Sequence, residues 1–461
     1  MSEQNDFRDR LATIDDKGKR VWLFPRKPSG KYTNYRTWFS WLLLIVMIGT
    51  PFIKVNGHPI MLFDIANRHF IIFGIPFWPQ DSEIFAVGLI IIFLFIILFT
   101  AVYGRLWCGW ACPQTIFMEM VFRKIEYLID GDAHKQRKLD AMPWNSTKIF
   151  KRVLKHGIFF GLAFFIGNIF LSYFIGMDRL IEIITAPPSA NLWGFIIMLI
   201  FTFVFYWIYA WFREQVCTLV CPYGRLQSVL LDKNSIVVSY DFLRGEPRGP
   251  LKRNADNSGK GDCVDCHMCV DVCPTGIDIR NGQQLECINC TACMDACDAV
   301  MTKVDRPTGL IRYASYNAIK EGSKKLITGR SIGYTAGLVI LLVVLNLFMY
   351  FRSDTQTTIL RAAGSLPLVL DDGKIRNLYT IKIINKTFND ITIRARLITP
   401  EGSSRFVSGE ELTIKGEQLA QSAIFVDLPE SSITGKSTRI TFEITRGDEV
   451  LETIKTNFLS P

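Results

Sequence analysis

The chain has 461 residues, 49% of them apolar, with 12 cysteines, five histidines and a formal net charge of +9. That length is too great for one ordinary domain. The apolar residues are clumped, which excludes a uniformly soluble enzyme, and the positive charge follows particular loops, which argues against a nucleic-acid binder.

Residues 1–36 form a polar, basic segment with nine Lys and Arg and no early apolar core, so no cleavable signal peptide is expected. Five stretches, near 37–53, 84–103, 157–176, 193–212 and 332–350, approach the roughly 20 residues a bilayer crossing needs. Loop 104–156 holds ten Lys and Arg and segment 213–331 holds sixteen, whereas loops 54–83 and 177–192 hold two and one. Because Lys and Arg stay inside, the N-terminus, loop 104–156 and segment 213–331 are expected in the cytoplasm, and residues 352–461 outside it. The outer loop Ile60–Trp78 is expected to lie along the membrane surface, with His58 and His69 as ordinary loop histidines.

The expected domains are 1–36, a cytoplasmic N-terminal segment; 37–231, a four-span membrane domain; 232–331, a cytoplasmic ferredoxin domain; 332–351, a fifth span; and 352–461, a periplasmic domain. Within 37–231 an arrangement repeats: two spans, then Cys108-Gly-Trp-Ala-Cys112-Pro113, and two spans, then Cys217-Thr-Leu-Val-Cys221-Pro222. Cysteines at i and i+4 share a helix face, proline favours a helix's first turn, and a helix N-terminus stabilises a thiolate. The expectation is that Cys108, Cys112, Cys217 and Cys221 converge on a redox or metal site at one membrane face, since thiolates suit soft metals.

A linker rich in Gly, Lys, Asn and Asp, about 244–262, leads into Cys263-x2-Cys266-x2-Cys269-x3-Cys273-Pro274 and Cys287-x2-Cys290-x2-Cys293-x3-Cys297-Asp298. This spacing wraps three thiolates around one 4Fe-4S cube while the fourth reaches the other. One cluster is therefore expected on Cys263, Cys266, Cys269 and Cys297, and the other on Cys287, Cys290, Cys293 and Cys273. Cys263-Val-Asp-Cys266-His267 also fits the c-type haem motif. Its membership of a duplicated run, on the side where haem c is not attached, argues against that reading. Zinc pairs rarely come as two runs of four.

In the tail, alternating runs at Leu378–Ile384, Ile391–Ile398, Ser422–Asp427, Thr438–Thr445 and Thr453–Phe458 predict a β-sandwich of immunoglobulin-like size. The expected fold is a polytopic α-helical membrane protein of about five spans, with a dicluster ferredoxin-like domain and a C-terminal immunoglobulin-like β-sandwich.

Cys-Gly-Trp-Ala-Cys-Pro-Gln (108–114), Glu-Gln-Val-Cys-Thr-Leu-Val-Cys-Pro-Tyr-Gly-Arg (214–225), Arg-Gly-Glu-Pro-Arg-Gly (244–249) and Gln-Leu-Glu-Cys-Ile-Asn-Cys (284–290) resemble the CcoG/FixG/RdxA family of cytochrome c oxidase accessory proteins. The likeness runs from about residue 30 to the end, and Asp298 fits the family's second run. The resemblance implies a bacterial inner-membrane protein that reduces Cu(II) to Cu(I) for the copper centre of a cbb-type oxidase. It also implies oxidase subunits and copper chaperones as partners, with Cys108, Cys112, Cys217 and Cys221 handling the copper. A homodimer is a further expectation. Two other readings stand beside it: a quinol-linked subunit feeding a periplasmic reductase, and a non-enzymatic assembly scaffold.

Overall fold

In a computed structural model, residues 12–15, 17–250, 259–322 and 328–460 are described. Parts of the expected N-terminal segment (1–11) and linker (251–258) lie outside them. The chain divides into two compact units, residues 1–53 with 87–342, and residues 54–86 with 343–461.

Among the described residues, four helices are long and apolar enough to cross a membrane: Pro79–Tyr103, Ser146–Ile175, Pro188–Phe212 and Gly329–Tyr350. They carry the second to fifth expected spans. Leu89, Phe203 and Ile340 on them point outward, the pattern of helices whose surroundings are hydrocarbon. The first expected span differs. It lies on helix Lys31–Gly49, which is not one of these four. Arg36 and Ser40 on its first half are buried against protein, and Pro51 converts its end into a short 3-10 turn, Thr50–Phe52. Outward apolar residues lie mainly from Trp38 onward, among them Leu42 and Ile45.

Helices Ser146–Ile175 and Leu192–Trp207 pack together through Phe170 and Phe201, whose rings stack with centroids 6.0 Å apart. Beyond them lies a ferredoxin-type core. Strand Val237–Tyr240 pairs antiparallel with Ile311–Ala314. Val238, Ile277, Ile279, Met294, Met301 and Leu310 fill the space between this ribbon and helix Ala292–Lys303.

The second unit is a β-sandwich. One sheet runs in the order Ser403–Phe406, Leu419–Pro429, Lys374–Asn385 and Thr355–Arg361, with Leu368–Val369 also on Lys374–Asn385. The other runs Leu412–Ile414, Ile391–Thr399, Ser437–Arg446 and Glu449–Leu459. Alternation decides which face is inside: Tyr379, Ile381 and Ile383 meet Ile393, Phe442 and Ile444 in a core that excludes water. Each of the five expected strands lies within an observed one. The additional strands include four-, three- and two-residue pieces, too short to show a period in sequence.

The loop between the first and second expected spans departs from a plain surface loop. It folds into two small sheets, Lys54–Val55 with His58–Pro59, and Met61–Asp64, His69–Ile72 and Ile75–Phe77. These are pinned to the sandwich. His69 Nε2 lies 2.9 Å from a Glu417 oxygen. His58 stacks on Phe388 with centroids 4.0 Å apart. Buried Asp81 pairs with Lys386 at 2.6 Å and Arg352 at 2.9 Å.

A candidate redox site

The two four-cysteine runs share a backbone geometry that spacing alone does not reveal. Asp265 and His267 in the first run have φ of 55° and 57°, and the equivalent Asn289 and Thr291 in the second have 54° and 65°. Left-handed backbone at non-glycine residues is costly and persists where the surroundings impose it. Left-handed residues at matched places in both runs are a component of the N–H nests that iron–sulfur sites use. His267 and Thr291 then start the helices Met268–Asp271 and Ala292–Lys303. The donor set and the nests fit 4Fe-4S cubes, and a cavity lined by Cys273, Cys287, Cys290 and Cys293 lies where one would sit.

Electrostatics show which thiols are neighbours, with Cys269 acting on both Cys297 and Cys293. Burial pushes Cys297 up to about 12, with further lifts from Cys269, Asp298, Cys263 and Cys266. Burial likewise raises Cys287 to about 12, with Cys273 and Cys290 adding to the rise. Cys293 is raised well above the ordinary thiol range by burial, then chiefly by Cys290, Cys287 and Cys273. Cys297 thus stands among the first run's thiols, and Cys273 among the second's. Asp298, the departure from the first run's proline, accepts the Gly309 amide at 2.7 Å.

The other four cysteines are also neighbours. Cys217 is pushed up to about 12 by burial and then by Cys112, Cys108 and Cys221. Cys108 is pushed up to about 12 by burial, partly offset by Arg105, with Cys112 and Cys221 adding to the rise. Both pairs close through the same wide turn: Cys112 N donates to Trp107 O at 2.9 Å, and Cys221 N to Val216 O at 2.8 Å. Such i to i−5 bonds gather at functional sites. The expected shared helix face does not form. The residue before proline avoids helical backbone, so Cys112 and Cys221 are extended, with ψ of 125° and 110°, and each caps the helix that follows. The expected thiolate stabilisation is outweighed at Cys108 and Cys217, where burial prevails. Among the described residues, no three His, Cys, Asp or Glu side chains form a ready cage for a single metal ion.

The four-thiol group and the ferredoxin core are in direct contact. Cys108 packs on a cluster that includes Ile288, Cys290 and Ala292, which Cys293 also joins. Gly109 makes this possible, because a Cβ there would fall 2.4 Å from Ile288 O. Arg36 Nε donates to Gly109 O at 2.7 Å. Trp110 Nε1 donates to the Tyr313 hydroxyl at 3.1 Å, which donates to Asn289 O at 3.2 Å. The Arg105 guanidinium donates to Leu285 O, two residues before Cys287, and to Gly224 O, three after Cys221. Cys108 Sγ meets Gln227 Oε1 at 3.1 Å.

Sequence reasoning missed these joining residues. Arg36 and Arg105 counted only as inside charge, yet both are buried. An arginine three residues before the first motif, where a span ends, is the signal that would have found Arg105. Asp295 was also missed. Its carboxylate accepts Tyr32 N at 3.0 Å and Thr33 N at 2.6 Å, capping helix Lys31–Gly49 from within the second cysteine run.

Paired cysteine runs on a ferredoxin-type core, in a chain with four apolar helices, define a membrane-bound 4Fe-4S redox protein. Families described as a 4Fe-4S dicluster domain and a 4Fe-4S binding domain match residues 212–316 and 85–131, the second holding Cys108 and Cys112. Residues 345–461 match a family described as the IG-like fold at the C-terminus of FixG. Protein RdxA of Cereibacter sphaeroides is 33% identical over 81% of this chain and 82% of its own length. Nitrogen fixation protein FixG of Rhizobium meliloti is 33% identical over 89% of this chain and 87% of its own. Protein RdxB of Cereibacter sphaeroides is 36% identical over 80% of each. The chain belongs to the FixG/RdxA family.

Proposed function

We propose that this protein reduces Cu(II) to Cu(I) for copper-centre assembly of a cbb-type cytochrome c oxidase. Cys263, Cys266, Cys269 and Cys297 would hold one 4Fe-4S cluster, and Cys287, Cys290, Cys293 and Cys273 the other. Bound cubes supply one-electron storage, which matches a one-electron metal reduction. The observation that carries the reading is the seat of Cys108 against Ile288 and Cys290, which sets the four thiols beside one cysteine run. Cys108, Cys112, Cys217 and Cys221 receive the copper substrate, soft sulfur favouring the Cu(I) product. Reducing one Cu(II) to Cu(I) needs one electron, which a cube held by these cysteines would supply. Burial keeps Cys108 and Cys217 protonated until a metal arrives, so copper entry releases protons.

In this reading helix Lys31–Gly49 is the fifth membrane element, the clusters and N-terminus are cytoplasmic, and the sandwich is periplasmic in a bacterial inner membrane. The loop charge bias supports that sidedness. Oxidase subunits and copper chaperones are the partners, and a homodimer is part of the proposal. The test mixes chemically reduced, cluster-loaded protein with Cu(II) and follows Cu(I) with a chelating dye. Wild type should form Cu(I), and replacing all four thiols by serine should abolish it while iron content holds. Unchanged Cu(I) formation in that variant would refute the thiol assignment.

A further inference from the structure

A cavity of about 380 Å³ lies in the first unit, where the start of helix Ser146–Ile175 meets the end of Pro188–Phe212. That is within the roughly 300–1,000 Å³ of small-molecule sites. Trp22, His156, Tyr206, Trp207, Trp211 and Arg213 are among its walls. The walls are flat and aromatic: Trp207 and Trp211 stack with centroids 5.3 Å apart and planes 22° from parallel. Arg213 lies over Trp22 at 5.0 Å.

Polar groups converge on one side. The Tyr206 hydroxyl and His156 Nδ1 are 2.9 Å apart. When the hydroxyl donates, His156 carries its proton on Nε2, and no described residue accepts it. Each cation of the wall has a carboxylate partner: Glu126 holds Arg213 at 2.5 Å and Lys155 at 3.2 Å, Asp130 holds Lys155 at 2.5 Å, and Asp140 holds Arg152 at 2.8 Å. The site therefore offers a neutral donor and aromatic faces, and no free charge to draw a phosphate. Trp207 and Trp211 are exposed at the end of an apolar helix, so the way in is from lipid. An interfacial aromatic belt accounts for those two indoles, but not for the cavity or the inward His156–Tyr206 pair. Tyr209, next to the wall residue Ala210, stacks on Phe122 at 4.7 Å in the core that also contains Phe117 and Met118, shortly after Cys112 in the chain.

We infer that this cavity binds the headgroup of a membrane quinone, with His156 Nε2 donating to one ring carbonyl and the indoles flanking the ring. A quinone is planar, uncharged, lipid-borne and needs donors at its carbonyls, which is the chemistry on these walls. The site stands on the cavity and does not rest on the copper reading.

The test uses the full-length, cluster-loaded protein in phosphatidylcholine nanodiscs with a photoreactive azido-quinone, and decylubiquinone as competitor. Labelled peptides should map to 152–160 or 204–213, and decylubiquinone should suppress the label. Tyr206→Phe and His156→Phe should each weaken competition at least tenfold, with unchanged iron content and thermal midpoint as the control for folding. Three results would each overturn the site: labelling elsewhere, competition unaltered in Tyr206→Phe, or label displaced by phosphatidylglycerol and not by decylubiquinone, which would mark a lipid groove.

Discussion

Gly109 and Ile288 approach so closely that a Cβ on the glycine would lie 2.4 Å from the Ile288 carbonyl oxygen. The contact joins the first Cys-x3-Cys-Pro turn to the second cysteine run, 179 positions further along the chain. Gly109→Ala must push the two apart. Overpacking of this kind costs about 1–3 kcal/mol, to be read as a lowered midpoint in thermal denaturation of the solubilised protein. The variant should keep its iron and lose Cu(II)-driven bleaching of the cluster absorbance at least tenfold. A variant that bleaches at the wild-type rate would show that the contact plays no part in transfer.

The proposed ligand sets cross between the runs, so on that proposal single substitutions have specific outcomes. Cys273→Ser should remove the cluster of the second run, and Cys297→Ser that of the first. Each should halve the iron content, and low-temperature electron paramagnetic resonance of the two reduced variants should show different residual signals. Identical residual spectra would contradict the crossing.

Asp295 caps helix Lys31–Gly49 with three hydrogen bonds, from Tyr32 N, Thr33 N and the Thr33 hydroxyl. A carboxylate is favourable at a helix N-terminus, and losing a cap costs about 0.5–2 kcal/mol. Asp295→Ala should cost at least that much, because the amides it leaves are partly buried. Faster hydrogen exchange at residues 31–36, measured by mass spectrometry, would report it directly.

Burial alone would raise the Glu126 carboxyl, yet Arg213, Lys155 and Arg123 hold it down at about 2. A folded pKa below the ordinary carboxylate value contributes stability that is present at neutral pH. That stability is lost as pH falls from about 4.5 toward 2, and for this shift it is on the order of 3 kcal/mol. Glu126→Gln should be less stable at pH 7, and the gap to wild type should close as pH falls through that window. A gap independent of pH would mean that the carboxylate charge is not what the network uses.

Much of this architecture was legible because covalent chemistry and lipid both leave strong marks on sequence. The x2-x2-x3 spacing pointed to the two runs, four of the spans are unbroken apolar stretches, and the five main sandwich strands alternate visibly. The first span, expected near 37–53, lies on helix Lys31–Gly49, and its apolar residues from Trp38 onward conceal that Ser40 and Leu44 face protein. The i, i+4 spacing suggested one helix face at each Cys-x3-Cys-Pro, but the proline that invites a new helix also breaks the old one. The contacts of Arg105, Gly109 and Asp295 join segments far apart in the chain, and no local period encodes such a meeting. His58 and His69 read as loop residues because Glu417 and Phe388, which hold them, come more than 300 positions later.

Electrons stored in the cysteine runs are proposed to reach copper through the four-thiol group. Stopped-flow mixing of fully reduced, cluster-loaded protein with Cu(II) tests it directly, with cluster absorbance and Cu(I)–chelate absorbance recorded together. One Cu(I) should appear for each electron lost by the clusters, and the variant with Cys108, Cys112, Cys217 and Cys221 changed to serine should stay reduced on the same timescale. Clusters that remain reduced in the wild type, or that are oxidised equally fast without the four thiols, would contradict it.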